Sequence, residues 1–160
     1  MQLSTWRTAY AELLPAEALD VPEVRAAALW LGAVESPPTP THRVLVAFER
    51  DELVGFAAAG PAADEGLNPA TTVELLTMLV EPRWGRRGHG SRLLAASVEG
   101  WRRDGATTAV IWVWERDPAT RSFLVSGGWE LDGAGRGLDT GPVVQRQLRF
   151  HTDLRETGSP

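Results

Sequence analysis

The chain has 160 residues and a formal charge of −5 at pH 7, with no cysteine and no lysine. A single domain of that length can bury about 70% of its unfolded surface, so a real core is available, while disulfides, thiolate metal sites and a cysteine nucleophile are excluded. The acidic balance excludes the broad basic field of a general nucleic-acid coat and leaves room for a local basic pocket.

In chain order, Trp6, Tyr10, Leu13 and Leu14 recur at helical spacing and Pro15 closes that run. Pro22 suits the first turn of a second helix, PEVRAAALWLGAV, in which Val24, Ala27, Ala28 and Leu31 form one apolar face. ESPPTPT is a loop. RVLVAFER and LVGFAAAG are strand-like runs on either side of Arg50-Asp51-Glu52, the pattern of an antiparallel hairpin. The stretch from Gly60 to Ala70 is polar and rich in glycine and proline, a candidate lid or substrate loop. TTVELLTMLV, from Thr71 to Val80, is a β-branched and apolar strand that Pro82 ends by removing a ladder donor. A helix then begins near Gly90, buries Leu94, Val98 and Trp101, and stops near Gly105.

AVIWVWE is apolar on both faces, which suits a central strand; strand, helix and strand in this order imply parallel pairing with a right-handed crossover. Asp117 before Pro118 opens another helix and Gly127-Gly128 closes it. WELDG and PVVQRQLRF supply two last strands joined by the loop AGRGLDTG, and residues 151–160 read as a frayed tail. No repeat or linker divides the chain, so residues 1–150 form one expected domain.

The junction VEPRWGRRGHGSRLL, Val80 to Leu94, carries the most chemistry. Gly85, Gly88 and Gly90 let the backbone approach a ligand closely, and the unpartnered first amides of a helix together with its dipole favour an anion. Arg83, Arg86 and Arg87 add positive charge there. The nucleotide-triphosphate loop needs GxxxxGK, which a chain without lysine cannot supply, and the dinucleotide fingerprint GxGxxG is reversed here as GxxGxG, Gly85 to Gly90.

That reversed order resembles the acetyl-CoA signature of the GNAT superfamily of N-acetyltransferases, Gln/Arg-x-x-Gly-x-Gly/Ala after a strand ending in Val-x-Pro. The run DPATRSFLVSGGWELDG, Asp117 to Gly133, is similar to the family's Asn-Pro-x-Ala-x-x-Phe-Tyr-x-x-x-Gly-Phe segment, and the likeness of pattern spans roughly residues 43 to 150. The resemblance implies an α+β fold of three layers, α/β/α. Its central sheet is mixed and mostly antiparallel, with one parallel strand pair splayed to admit the pantetheine arm. It implies acetyl transfer from acetyl-CoA to a primary amine by direct attack in a ternary complex, with no metal. Met78, Leu79 and Val80 would offer backbone groups to pantetheine, and amides near Leu79 and Val80 would polarise the thioester carbonyl. Arg86, Arg87, Gly88, His89, Gly90 and Ser91 would hold the diphosphate, and Asp117, where the family has Asn, would contact the cofactor's arm.

Glu74 is the only carboxylate in its strand. It must face water, a partner or a cleft, because burying it unpaired is costly; family members often use a Glu at this place as a general base, and an exposed edge position is the plain alternative. Three departures from the pattern stand out. Leu124 occupies the place of the tyrosine that protonates the departing thiolate, which leaves water, Ser122 or Ser126 for that step, with Tyr10 a further candidate by chemistry. It also leaves open a module that binds coenzyme A without catalysis. Gly85 replaces the usual Gln or Arg, whose phosphate contact Arg83 or Arg86 would supply instead. The strand that normally precedes the first helix is missing, so either the true start lies upstream or the sheet has an edge that a second copy would cover, as in a homodimer.

Trp101, Trp112, Trp114 and Trp129 read as core, and Trp84 as a platform for adenine. His42, His89 and His151 lack ligand spacing, so no metal site is expected, and His89 matters through its backbone rather than its ring. The N-terminal MQLSTWRTAY has no signal-peptide core and AAALWLGAV is too short to span a membrane, so a cytoplasmic protein is expected, with no membrane or nucleic-acid partner. Arginine without lysine, with abundant alanine and glycine, is the composition of a GC-rich bacterial genome. A small-molecule or peptide amine would be the acceptor.

Overall fold

A computed structural model describes residues 22–139 and 144–155. The expected helix around Trp6 to Leu14 and the question of a preceding strand lie outside those residues.

Helix α1, Glu23–Glu35, starts directly after Pro22, which sits at the N-cap rather than in the first turn. The expected inward face is turned out. Val24 and Leu31 are 83% and 58% exposed, whereas Trp30 packs edge-on against Phe56 with ring centroids 4.9 Å apart. In AAALWLGAV nearly every position is apolar, so periodicity selects no face, and the aromatic contact decides it.

Strands β1 (Arg43–Glu49) and β2 (Glu52–Pro61) form the expected antiparallel hairpin, with Arg50 in the left-handed region at φ 53°. β2 is buried continuously from Val54 to Gly60 because it lies inside the sheet with both faces covered. β3 (Thr72–Val80) runs antiparallel to β2, but Ala58 pairs with Thr77 and Ala59 with Leu75, so Leu76 is bulged out and 55% exposed.

Helix α2 (His89–Arg103) then crosses to β4 (Thr108–Trp114). β3 and β4 are parallel, and their register contains three pairs only: Thr72 with Thr108, Val73 with Ala109, Glu74 with Val110. Helix α3 (Pro118–Ser126) leads to β5 (Glu130–Asp139) and β6 (Val144–Asp153), and β6 inserts between β4 and β5 to give the order β1-β2-β3-β4-β6-β5. This is the mixed, mostly antiparallel sheet of the expected fold. Leu93, Leu94, Ser97 and Trp101 recur at helical spacing along α2 and are buried against the sheet. Leu93, Leu94 and Trp101 build the main core on one face with Leu75, Ile111, Leu124 and Trp129. α1 covers part of the other face through Trp30.

Two expectations at the C-terminal end are corrected. AGRGLD is strand, not loop: β5 extends through it by backbone pairing to β6, which needs no bulky side chains, after a bulge between Leu131 and Gly135. The expected tail is also partly structured. β6 runs to Asp153, and Leu154 is 2% exposed, its N–H donating to Thr107 O at 2.8 Å and its carbonyl accepting from Arg102 Nε at 2.7 Å. Leu154→Ala should therefore cost about 2–5 kcal/mol, read as a lower urea midpoint at unchanged slope, where a frayed residue would cost nothing.

Candidate acetyl-CoA site

An open cleft of about 900 Å³ lies where the C-terminal end of β3, the turn before α2 and one face of α3 meet. Its floor carries Met78 and Val80, its rim Gly85, Arg86 and Gly88 to Ser91, and its far wall Ser122 and Phe123 of α3.

The rim presents a run of backbone amides without acceptors. Glu81 leads into a short 3-10 turn, Pro82–Trp84, whose last amides are used internally: Trp84 N–H donates to Glu81 O and Gly85 N–H to Pro82 O. From Arg86 to Ser91 the amides have no acceptor among the described residues, and the first helical bond at this end is Arg92 N–H to Gly88 O at 3.0 Å. Arg86 and Gly88 both have positive φ, 62° and 81°, which turns successive amides into one concavity. No side chain caps α2, so its first amides and the positive end of its dipole stay open.

The three arginines divide their roles. Arg86 lines the cleft, and Arg87 lies over Trp84 at 4.7 Å from the ring centroid. Arg83 pairs with Glu52 and with Glu81 at 3.1 Å, so its guanidinium is occupied and does not stand in for the polar side chain that Gly85 lacks. Trp84 lines the cleft with its indole N–H buried and without an acceptor among the described residues. His89, expected to act through its backbone, has a ring that is almost wholly buried. Its Nδ1 is 2.9 Å from Arg92 Nη2; a guanidinium can only donate, so Nδ1 accepts and the proton sits on Nε2, 3.4 Å from Glu49. The imidazole thus braces the first turn of α2.

Asp117 sits outside the cleft lining. It caps α3, accepting the Thr120 N–H at 3.0 Å on one oxygen and the Thr120 hydroxyl at 2.7 Å on the other. Leu124, in the place of the family's tyrosine, is fully buried in the core, so the α3 face toward the cleft is Ala119, Ser122, Phe123 and Ser126. The Ser126 hydroxyl is committed to Phe123 O at 2.7 Å. Leu79 is buried, and its neighbours Met78 and Val80 reach the cleft.

Beyond Glu74 and Val110 the parallel strands no longer pair. A strand directs its backbone groups alternately to either side, so part of the β3 backbone from Leu76 to Val80 faces this opening instead of a ladder partner. On the sheet face opposite the core, Glu74 is half-buried, and its carboxyl is held above the usual range, first by desolvation and then by the nearby Asp64 charge, against lowering by Arg136 and Arg149. Asp64 belongs to the loop between β2 and β3 that the sequence singles out. It accepts Trp112 Nε1 at 2.9 Å and Arg149 Nη1 at 2.9 Å, and Arg149 Nε reaches Asp132 at 2.6 Å. Trp112, expected in the core, is half-buried on this face with Arg136 and Arg149 over its ring. Sequence reasoning missed this network, because its members lie on β4, β5, β6 and a loop with no shared spacing; the polar stretch holding Asp64 was the one signal.

The family model for GNAT acetyltransferases matches residues 4–126. The chain belongs to that family. Among solved structures it resembles the PaiA N-acetyltransferase of Thermoplasma acidophilum in complex with coenzyme A, at 19% identity and TM-score 0.71 over 94% of this chain and 87% of that one. It also resembles YncA of Salmonella typhimurium, a putative acetyltransferase with its cofactor acetyl-CoA, at 19% identity and TM-score 0.69 over 99% and 90%. A ribosomal-protein-alanine N-acetyltransferase of Brucella melitensis follows at 23% identity and TM-score 0.68 over 95% and 91%. At such identities these likenesses establish the fold alone. No curated protein matches the chain in sequence.

A Cβ at Gly88 would impose left-handed strain of about 1–2 kcal/mol and would press on Arg92 Nη1 at 3.2 Å. Gly88→Ala should lower the urea midpoint accordingly and weaken acetyl-CoA binding in calorimetry.

Proposed function

We propose that this acetyltransferase moves acetyl from acetyl-CoA to a primary amine by direct attack in a ternary complex, with Glu74 as the general base. The observation that carries the reading is the end of β3–β4 pairing at Glu74 and Val110, which leaves β3 without a parallel partner between the half-buried carboxylate and the cleft-lining Met78 and Val80.

Acetyl-CoA would supply an activated acyl group. Its diphosphate suits the idle amides of Arg86, Arg87, Gly88, His89, Gly90 and Ser91, with the Arg86 and Arg87 side chains adding charge. Its pantetheine arm suits the backbone of Met78, Leu79 and Val80 beside the opening, where the alternate groups of Met78 and Val80, turned away from β2, can orient and polarise a carbonyl. The role of Asp117 is then indirect: it holds the start of α3, and through it the cleft wall.

Glu74 receives the harder task. An amine with a lysine-like pKa of about 10.4 is protonated at neutral pH, and freeing its lone pair costs about 4–5 kcal/mol. A carboxylate whose proton affinity is increased by burial and by Asp64 takes that proton more readily than an ordinary one. On the leaving side, a thiol of pKa about 8.5 departs well as an anion. Ser122, exposed on the cleft wall, is a candidate hydroxyl in place of the missing tyrosine.

Calorimetry with acetyl-CoA and thiol release across a panel of amines test the reading together. Glu74→Gln should bind acetyl-CoA normally and lose about 10²–10⁴-fold in kcat; equally low rates in both proteins would point to a coenzyme-binding module without chemistry. The pH profile gives a second check. Activity needs the ionised base, so the acid limb of kcat/KM should lie above the usual carboxylate range, and Asp64→Asn should move it to lower pH by removing a charge that raises Glu74. The linked stability has the opposite sense: a raised carboxyl binds its proton more tightly when folded, so ionising Glu74 destabilises the fold as pH rises through that range. Glu74→Gln should therefore melt higher than the parent at neutral pH.

A further inference from the structure

On the Glu74 face the two arginines beside Trp112 differ in one respect. Arg149 is neutralised by two carboxylates: Asp64 holds Nη1 at 2.9 Å and Asp132 holds Nε at 2.6 Å. Arg136 is held but not neutralised. Its Nε donates to Gln147 Oε1 at 2.8 Å, and its guanidinium lies 4.3 Å above the Trp112 ring centroid. Gln147 is itself buried, so the grip is rigid. Among the described residues no carboxylate lies within ion-pair distance of Arg136, and neither of its terminal nitrogens has an acceptor.

A half-buried guanidinium with a fixed plane and an idle pair of terminal nitrogens matches a planar oxyanion taken by two parallel hydrogen bonds. Gln147 and Trp112 have already ordered the side chain, so the entropy cost of fixing it is met by the fold. Its charge is also near enough to Glu74 to act on that carboxyl. One face thus presents a carboxylate for an ammonium and, beside it, an unspent cation.

We propose that Arg136 anchors a carboxylate on the acceptor, so that the amine substrate is a small zwitterion of the free amino-acid type. The proposal rests on the reading of Glu74 as the base that receives the amine, and it adds the chemical class of the acceptor.

The test measures thiol release from acetyl-CoA with the twenty common L-amino acids and their carboxamides, on the parent, Arg136→Gln and Arg136→Lys, each first titrated with acetyl-CoA by calorimetry. For the best acceptor, the acid should exceed its amide in kcat/KM by about 10- to 100-fold, mostly through KM, as a charge-assisted bidentate contact implies. That ratio should fall toward one in Arg136→Gln and to an intermediate value in Arg136→Lys, which keeps the charge and loses the fork. A merely structural Arg136 would change melting and rate while leaving the ratio as it was. A parent that binds acetyl-CoA but turns over no free amino acid, or treats acids and amides alike, overturns the proposal; so does Arg136→Gln with an undiminished ratio. A parent that binds no acetyl-CoA removes the transferase mechanism itself, a distinct failure read in the calorimeter alone.

Discussion

The rest of the molecule depends on the place where β3 and β4 stop pairing. Three residue pairs tie the parallel strands at their N-terminal ends, and beyond Glu74 and Val110 they part. An unpaired strand interior is costly in a sheet, because backbone N–H and C=O groups lose their partners. Here the cost is limited by structure on both sides. β3 is held by β2 along its whole length, with the bulge at Leu76 adding local twist, and β4 is held by β6 over seven residues from Thr108 to Trp114. The gap is therefore rigid, and it leaves backbone groups pointing into open space.

Two chemically different faces lie on either side of the sheet at this place. On the core side, α2 and α3 wall a cleft whose rim offers amides without acceptors. On the opposite side, Asp64, Asp132 and Arg149 lock Trp112 and the β2–β3 loop around Glu74. The network does more than support. Asp64 places a like charge near the half-buried Glu74, and burial and that charge together raise the proton affinity of the one carboxylate in β3 against the lowering by Arg136 and Arg149. Electrostatics and architecture act together, since the loop that contributes Asp64 is fastened by the same Arg149 whose charge Asp64 offsets.

Much of the fold was readable from local patterns. The hairpin of β1 and β2, the strand from Thr72 to Val80, the Pro82 stop, the α2 start and the Asp117–Pro118 cap all follow from turn chemistry and proline or glycine placement. Failures occurred where local pattern was degenerate. From Ala26 to Val34 the α1 sequence is apolar on every side, so contact with Phe56 selected its inward side. The glycine-rich stretch of β5 reads as a loop by composition and is a strand because β6 supplies a ladder. His89 has ordinary local signals, yet the partners Arg92 and Glu49 make its ring structural.

By itself the sequence determined the glycine-rich turn before α2, since glycine placement and the unpaired first amides of a helix are local properties of a dozen consecutive residues. It also determined that Glu74 is the lone charge in an apolar strand. Tertiary structure alone decided what surrounds that carboxylate. Asp64, Trp112, Asp132, Arg136 and Arg149 come from a loop and three strands, up to 85 residues apart along the chain. Only sheet order and register bring them to one face, and no periodicity in the chain encodes such a meeting.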